Sequence, residues 1–307
     1  MSNDQCQYFH ILSLAQSLTS LIVLEEIWLK HSQVAVTGAQ YNSGEHLPHP
    51  KCLKGTRVNL LKYIHELLDD SEKNQLFWLH GMAGVRKSAI AFTVAETHER
   101  SKMGTFFFLH KHAKHCTTGY FFAMVAYQLA TNFPSIQMDV SRAIHNNPAL
   151  LNPDMPLCDQ MEALFLQPLW KLRLRFLGCL PLSFVVDVLD ECTSKPEITY
   201  LILSLAQALC EPDLPVTHIL LTSRSESHIH KAFQNEEVRL LVCEIPVRTS
   251  GDGISLDGID VDDNICTFLQ HSFEELESHH PDFPKLLIND LAKLASRAGR
   301  HFVVASR

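Results

Sequence analysis

The chain has no CxxC pair, no excess of basic charge, no apolar run of bilayer length and no internal repeat, and each absence removes a class of protein. Its nine cysteines, at positions 6, 52, 116, 158, 179, 192, 210, 243 and 266, are odd in number and scattered. That argues against a disulfide scaffold or a zinc ribbon and fits a reducing, cytoplasmic setting. Lys and Arg total 26 against 34 Asp and Glu, a formal net charge of −8. There is thus no overall electrostatic footprint for nucleic acid or an anionic membrane, and any anion has to be held locally. The most apolar N-terminal stretch, 11–24, contains Gln16 and several Ser and Thr and then meets Glu25 and Glu26. It is too short and too polar to span a bilayer, lacks the basic start of a secretory signal, and reads as a buried or partner-facing helix. Without self-similarity at a period of 20–50 residues, a solenoid or propeller is excluded.

What remains is a chain of 307 residues, 46% of them hydrophobic, enough to fill the core of one large domain or two ordinary ones. Residues 32–56 are rich in Gly, Pro, Ser and His without helical or strand periodicity and read as a linker, with a boundary near residue 50. Residues 57–68 then repeat apolar positions at helical spacing. Apolar runs of strand length follow at 76–80, 105–110, 182–188, 217–223 and 238–245. Helical patterns lie between them at 88–99, 120–131, 160–176, 197–209 and 226–233. Buried strands alternating with helices predict a doubly wound, mostly parallel α/β layout. A turn-rich stretch after Glu244 leads into helical patterns near 264–278 and 284–298.

The most informative segment is LFWLHGMAGVRKSAIAFTVAE. It puts a loop (Gly81, Met82, Ala83, Gly84, Val85, Arg86, Lys87, Ser88) between a predicted strand and a predicted helix, the context of a Walker A loop. There, backbone N–H groups wrap phosphate, the Lys87 ammonium meets the outer oxygens, the Ser88 hydroxyl meets magnesium, and the helix N-terminus faces the negative charge. Against the pattern GxxxxGK[ST], Gly81, Lys87 and Ser88 match, while Arg86 stands where glycine is required. A β-carbon there costs on the order of 1–3 kcal/mol if the backbone is left-handed. A guanidinium reaching a phosphate oxygen would return roughly 1.5–3 kcal/mol.

Downstream, PLSFVVDVLDEC sets an apolar strand before Asp187, then Asp190 and Glu191. This is the Walker B arrangement: a carboxylate at a strand's end to hold Mg²⁺ and a second to orient or deprotonate water. In THILLTSRSESHI a third buried strand ends in Thr222, Ser223 and Arg224, and an arginine at the carboxyl edge of a parallel sheet can sense a γ-phosphate by paired hydrogen bonds. Taken alone, Arg224 reads equally as a partner of Glu226 at a helix start.

Together these segments resemble the NACHT-type STAND P-loop NTPases, in the nephrocystin-like form found in fungal NOD-like receptor proteins. The likeness runs in order through PKCLKGTRVNLLKYI, FWLHGMAGVRKSAIAFTVAE, GTFFFLHK, MVAYQLATNFPSI, AIHNNPAL, QMEALFLQPL, PLSFVVDVLDEC, HILLTSRSESHI, DDNICTFLQHSFEEL and SRAGRHFVVAS, spanning residues 48–307. It implies a three-layer α/β P-loop NTPase fold with a mostly parallel sheet flanked by helical segments. It also implies a switch that binds ATP or GTP with Mg²⁺ and whose nucleotide state controls self-association or contact with other NACHT proteins. Position by position, Gly81, Gly84, Lys87 and Ser88 would hold phosphates and magnesium, Asp187 would bind magnesium, Asp190 or Glu191 would act on water, and Arg224 would be the sensor. Arg86 is the departure. The family normally continues into a winged helix and a repeat array, neither of which this sequence reaches.

Three further segments are readable. HKHAKHC (His110, His112, His115, Cys116) offers zinc-type ligands but sits where the family has a variable loop. Phe106–Phe108, Phe121 and Phe122 suit a core better than base stacking. WKLRLRF (170–176) reads as the end of an amphipathic helix with snorkelling cations rather than a nucleic-acid patch. The resulting organisation is a helical segment and linker over 1–50, a nucleotide-binding domain over 51–245, and a partial helical extension over 246–307. Nucleotide binding with weak or absent hydrolysis is the leading expectation. A catalytically dead scaffold for oligomerisation is the alternative, and a small-molecule kinase is disfavoured because no second substrate site or basic lid is visible.

Overall fold

The computed structural model describes residues 19, 21–35, 51–70, 75–101, 105–108, 117–176, 182–187, 189–191, 195–247, 261–279 and 288–297. At its centre are five strands: β1 (Gln75–Gly81), β2 (Thr105–Phe108), β3 (Leu182–Asp187), β4 (Val216–Ser223) and β5 (Val242–Val247). Their order is β2-β3-β4-β1-β5, and every pairing is parallel. The expected doubly wound three-layer α/β architecture is therefore the one the chain adopts. Apolar runs form these strands because both faces are covered. Leu76, Trp78, Phe184, Val186, Ile219 and Leu221 face one core, whereas Phe77, Leu79, Val185, Leu220 and Ile245 alternate into the other.

The second core is closed by α2 (Val58–Asp69) and α3 (Lys87–Ser101). The first is larger and takes α4 (Phe121–Asn132), α5 (Gln137–Asn146), α6 (Leu157–Met161), α7 (Gln167–Leu172), α8 (Lys195–Cys210) and α9 (Ser227–Phe233). Phe121 and Phe122 are buried there, edge to face at 5.1 Å, as expected of core residues. The helix expected over 160–176 begins at Leu157 and is broken by a π-turn at Glu162–Leu166. Pro168 explains the break, since it has no N–H to give the carbonyl a turn earlier and a wider turn absorbs the mismatch. α5 was not expected from the sequence.

Two boundaries differ from the sequence reading. The fifth strand was expected at 238–245 but runs Val242–Val247, because Val238–Leu241 form a turn closed by Val238 N to Asn235 O at 3.1 Å and Leu241 N to Val238 O at 2.8 Å. Pro246 is tolerated in β5 because that strand is at the sheet edge and pairs only with β1. The N-terminal helix, α1, covers 21–34, so residues 32–34 belong to a helix rather than to a linker. Most of the 11–24 stretch lies outside the described residues, as does HKHAKHC. α1 is seated on α4: the Trp28 and Tyr127 rings stack at 4.7 Å, and His31 Nε2 donates to the Ala123 carbonyl at 2.7 Å. Burial lowers the His31 pKa to about 4, so the ring stays neutral at physiological pH. Beyond the sheet, α10 (Val261–His279) and α11 (Ile288–Arg297) close a small core of Ile265, Leu269, Leu291 and Ala295.

One close approach fixes the entry to α4. A β-carbon on Gly119 would lie 2.1 Å from the Pro153 carbonyl oxygen, and buried Gln160 Nε2 bonds the Gly119, Leu150 and Asn152 carbonyls at 2.9, 3.2 and 3.1 Å. Backbone meets backbone, so neither side yields cheaply. Gly119→Ala is expected to destabilise the fold by roughly 1–3 kcal/mol or more, read as a melting temperature several degrees lower. An unchanged melting temperature would contradict this packing.

Candidate nucleotide-binding site

All strands being parallel, their carboxyl ends lie on one edge, the usual ligand edge of a doubly wound sheet. Register brings Leu79 beside Thr222, His80 beside Ser223, Gly81 beside Val247 and Val186 beside Leu221. The strand bearing Asp187 is thus separated from the strand bearing the loop by β4 alone. Gly81 is required by the sheet itself, since a β-carbon there would lie 2.4 Å from the Val247 carbonyl oxygen.

From Gly81 the chain turns through Met82–Arg86 and enters α3 at Lys87. Met82 is exposed, while Val85 is buried and anchors the turn. Gly84 has φ 87° and Arg86 φ 61°, so the position where the sequence pattern wants glycine does have the left-handed backbone that favours it. Arg86 tolerates this at a cost of about 1–2 kcal/mol. Its carbonyl accepts the first helical bond, from Ile90 N at 3.2 Å. The guanidinium turns toward α10. Its central carbon lies 4.3 Å from the centroid of the Phe268 ring on α10.

Lys87 Nζ donates to the Gly81 and Met82 carbonyls, each at 3.0 Å. Desolvation lowers its pKa, opposed by Asp190 and Asp187, while Arg224 adds to the lowering. Asp187 is buried and accepts hydrogen bonds from the Thr222 and Ser88 hydroxyls. The loop, the β3 carboxylate and the end of β4 therefore meet at one point. Desolvation raises the Asp187 pKa to about 6, with Asp190 adding to the rise and Thr222, Ser88 and Lys87 opposing it. Arg224 closes the edge: its backbone N donates to Asp190 Oδ1 at 2.8 Å and its Nε to Asp190 Oδ2 at 3.1 Å. Ser223 beside it accepts from Trp78 Nε1 at 2.8 Å and donates to the Arg224 carbonyl at 2.9 Å.

Lys87, Ser88, Asp187, Asp190 and Arg224 are thus brought together. The possible pairing of Arg224 with Glu226 gives way to Asp190. Glu191 ends a 3₁₀ turn at Leu189–Glu191, and its side chain is outside the described ones. The sequence reading did not weigh Thr222 as the hydroxyl that fixes Asp187, although its place one residue from the strand end was the available signal. It missed Phe268 altogether. A hydroxyl, a carboxylate, an ammonium and a helix N-terminus form a donor set suited to a phosphate-bound hard cation.

A model of the family "Nephrocystin 3, N-terminal" matches residues 56–224, just over half of the chain. The chain belongs to this family. Among solved structures, the Walker-type ATPase of Pyrococcus abyssi is similar over 84% of this chain and 68% of that one, at 16% identity and a TM-score of 0.52. PCH-2 of C. elegans matches at 14% identity and a TM-score of 0.44, over 86% of this chain and 65% of that one. The ORC2 protein of Aeropyrum pernix matches at 14% and 0.41, over 72% and 52%. At 16% identity the likeness to the Pyrococcus abyssi ATPase shows the fold, a P-loop NTPase fold, and nothing finer. No curated protein matches the chain. No helix among the described residues of this nephrocystin-type domain is long and apolar enough to cross a membrane.

Asp187 gives the domain a pH signature. Its folded pKa of about 6 exceeds the ordinary 3.8, so ionisation disfavours the folded state. The contribution is fully favourable below about pH 4 and is lost as pH rises through 6, amounting to ~3 kcal/mol at about 1.4 kcal/mol per unit. In chelator and without nucleotide, Asp187→Asn should melt several degrees above the parent at pH 8, with the gap closing toward pH 4. Equal melting at pH 8 would show that the buried carboxylate is not costly.

Proposed function

We propose that the chain is a nucleotide-binding signalling switch of NACHT/STAND type that takes ATP or GTP with Mg²⁺ and turns it over slowly or not at all. The observation that carries this reading is the meeting of Ser88, Asp187 and Thr222 directly beside Lys87. In this reading the backbone amides of Gly81–Ser88 and the N-terminus of α3 bind the phosphates. Lys87 exchanges its two carbonyl partners for phosphate oxygens, and Ser88 and Asp187 hold the cation. A cation held there would supply positive charge against the phosphates.

Weak turnover has its own support. Both oxygens of Asp190 already accept bonds from Arg224, so Asp190 positions the sensor and Glu191 is left to act on water. Arg86 also brings a side chain to a loop position where the motif has none, and phosphoryl transfer is sensitive to any shift in placement that follows. The family resemblance supplies the signalling role: nucleotide state would set self-association or contact with other NACHT proteins in the cytoplasm. The scaffold alternative draws on Arg86, which turns to α10 instead of the phosphate loop's ligand side.

Titration with fluorescent ATP and GTP analogues, with and without Mg²⁺, tests the reading. Saturable, Mg²⁺-enhanced binding is expected, weakened at least about tenfold in Lys87→Ala, as for loss of a charge-assisted contact. If neither analogue saturates below about millimolar, the scaffold reading replaces the switch.

A further inference from the structure

Among the described residues only three other than glycine have positive φ: Arg57, Arg86 and Asp213. Two of them are where α10 touches the nucleotide-binding core. Arg57, buried with φ 57°, precedes α2, and its backbone N donates to Asn264 Oδ1 of α10 at 2.9 Å, across 207 residues of sequence. Arg86 precedes α3 and lies against Phe268 of α10. Asn264 and Phe268 are four residues apart and so share one face of the helix. Thr56, Arg57, Arg86, Ala89 and Phe268 line the crevice between them. One helical face therefore holds the left-handed residues that open the two helices of the second core.

We propose that Phe268 is a positioning residue for the phosphate loop, holding Arg86 in the left-handed conformation that the loop needs and keeping its side chain on the α10 side. A guanidinium over an aromatic face within about 6 Å is attracted by the ring's quadrupole, more strongly once water is partly excluded. That attraction offsets the strain a β-carbon brings to this backbone position. α10 thereby supplies from outside the motif what a glycine would supply within it. The consequence for ligand affinity rests on the nucleotide reading above; the effect on the loop does not.

The test uses the full chain in five forms: the parent, Phe268→Leu, Arg86→Gly, the double variant, and Phe268→Tyr as the conservative control. Amide hydrogen exchange without nucleotide reads the first turn of α3, centred on the Ile90 amide that bonds the Arg86 carbonyl. Phe268→Leu should speed that exchange about threefold to tenfold, in proportion to a partly desolvated cation–π contact. Phe268→Tyr should restore parent-like exchange. In Arg86→Gly, where φ is free, adding Phe268→Leu should change nothing in the loop, even if α10 itself loosens. Unchanged exchange in Phe268→Leu overturns the proposal, and so does an equal acceleration in both backgrounds, which would mark general packing by α10.

Titration of the same proteins with the fluorescent ATP analogue and Mg²⁺ separates the two readings. Exchange that follows position 86 while no protein binds nucleotide defeats the switch and leaves the positioning role standing. Equal affinity in the parent and Phe268→Leu, with saturable binding, defeats the positioning role and leaves the switch.

Discussion

A carboxylate taken out of water must be met by donors, and in this fold Asp187 is that carboxylate. It lies at the end of the interior strand β3, and two of its donors come from different elements: Thr222 from β4 and Ser88 from the start of α3. Because β4 lies between β1 and β3, its last residues reach the loop on one side and the carboxylate on the other. Desolvation nevertheless outweighs these bonds, as the raised pKa shows. The folded chain thus keeps a group that is poorly satisfied on its own and well suited to a cation, a common exchange of stability for function.

Arg86 is the second constraint. The left-handed turn persists although the residue that makes such a turn cheap has been replaced, because Val85 is buried beside it and α3 is seated in the core. Rigid surroundings can hold a residue in a sparsely populated conformation at a cost of order 1–3 kcal/mol. The ring of Phe268, 4.3 Å from the guanidinium carbon, is a contact that offsets that cost. The substitution therefore does not fill the loop from within, and the departure from the motif is compatible with an intact phosphate-facing backbone.

Much of this was legible in the sequence, because much of it is local. The strand-loop-helix around Gly81–Ser88 and the apolar runs of β1, β3 and β4 follow from periodicity and from two-faced burial. The carboxylates after β3 announced themselves by position. Less legible were α5, hidden in a stretch valued only for its family likeness, and β5, where Val238, Leu240 and Leu241 outcompeted the true strand in the pattern but were consumed by a turn. The end of α1 was not legible: residues 32–34 carry no hydropathy pattern, and the helix is seated by Trp28 stacking on Tyr127. Phe268 gave no signal at all: nothing in a helical repeat near residue 264 tells which distant cation will lie on its ring.

Such long-range contacts also change what counts as the site. In a glycine-bearing loop the geometry is contained within a few residues, and the helices that follow the sheet can be altered independently of it. Here the two left-handed caps at the entries to α2 and α3 both answer to α10, through Asn264 and Phe268. Linkage is reciprocal: if α10 steadies the loop, then whatever orders the loop steadies α10. A cation–π contact and one hydrogen bond set the scale of that coupling at about 1–3 kcal/mol. That is the usual range for communication between sites, and it needs no conformational change larger than the seating of one helix.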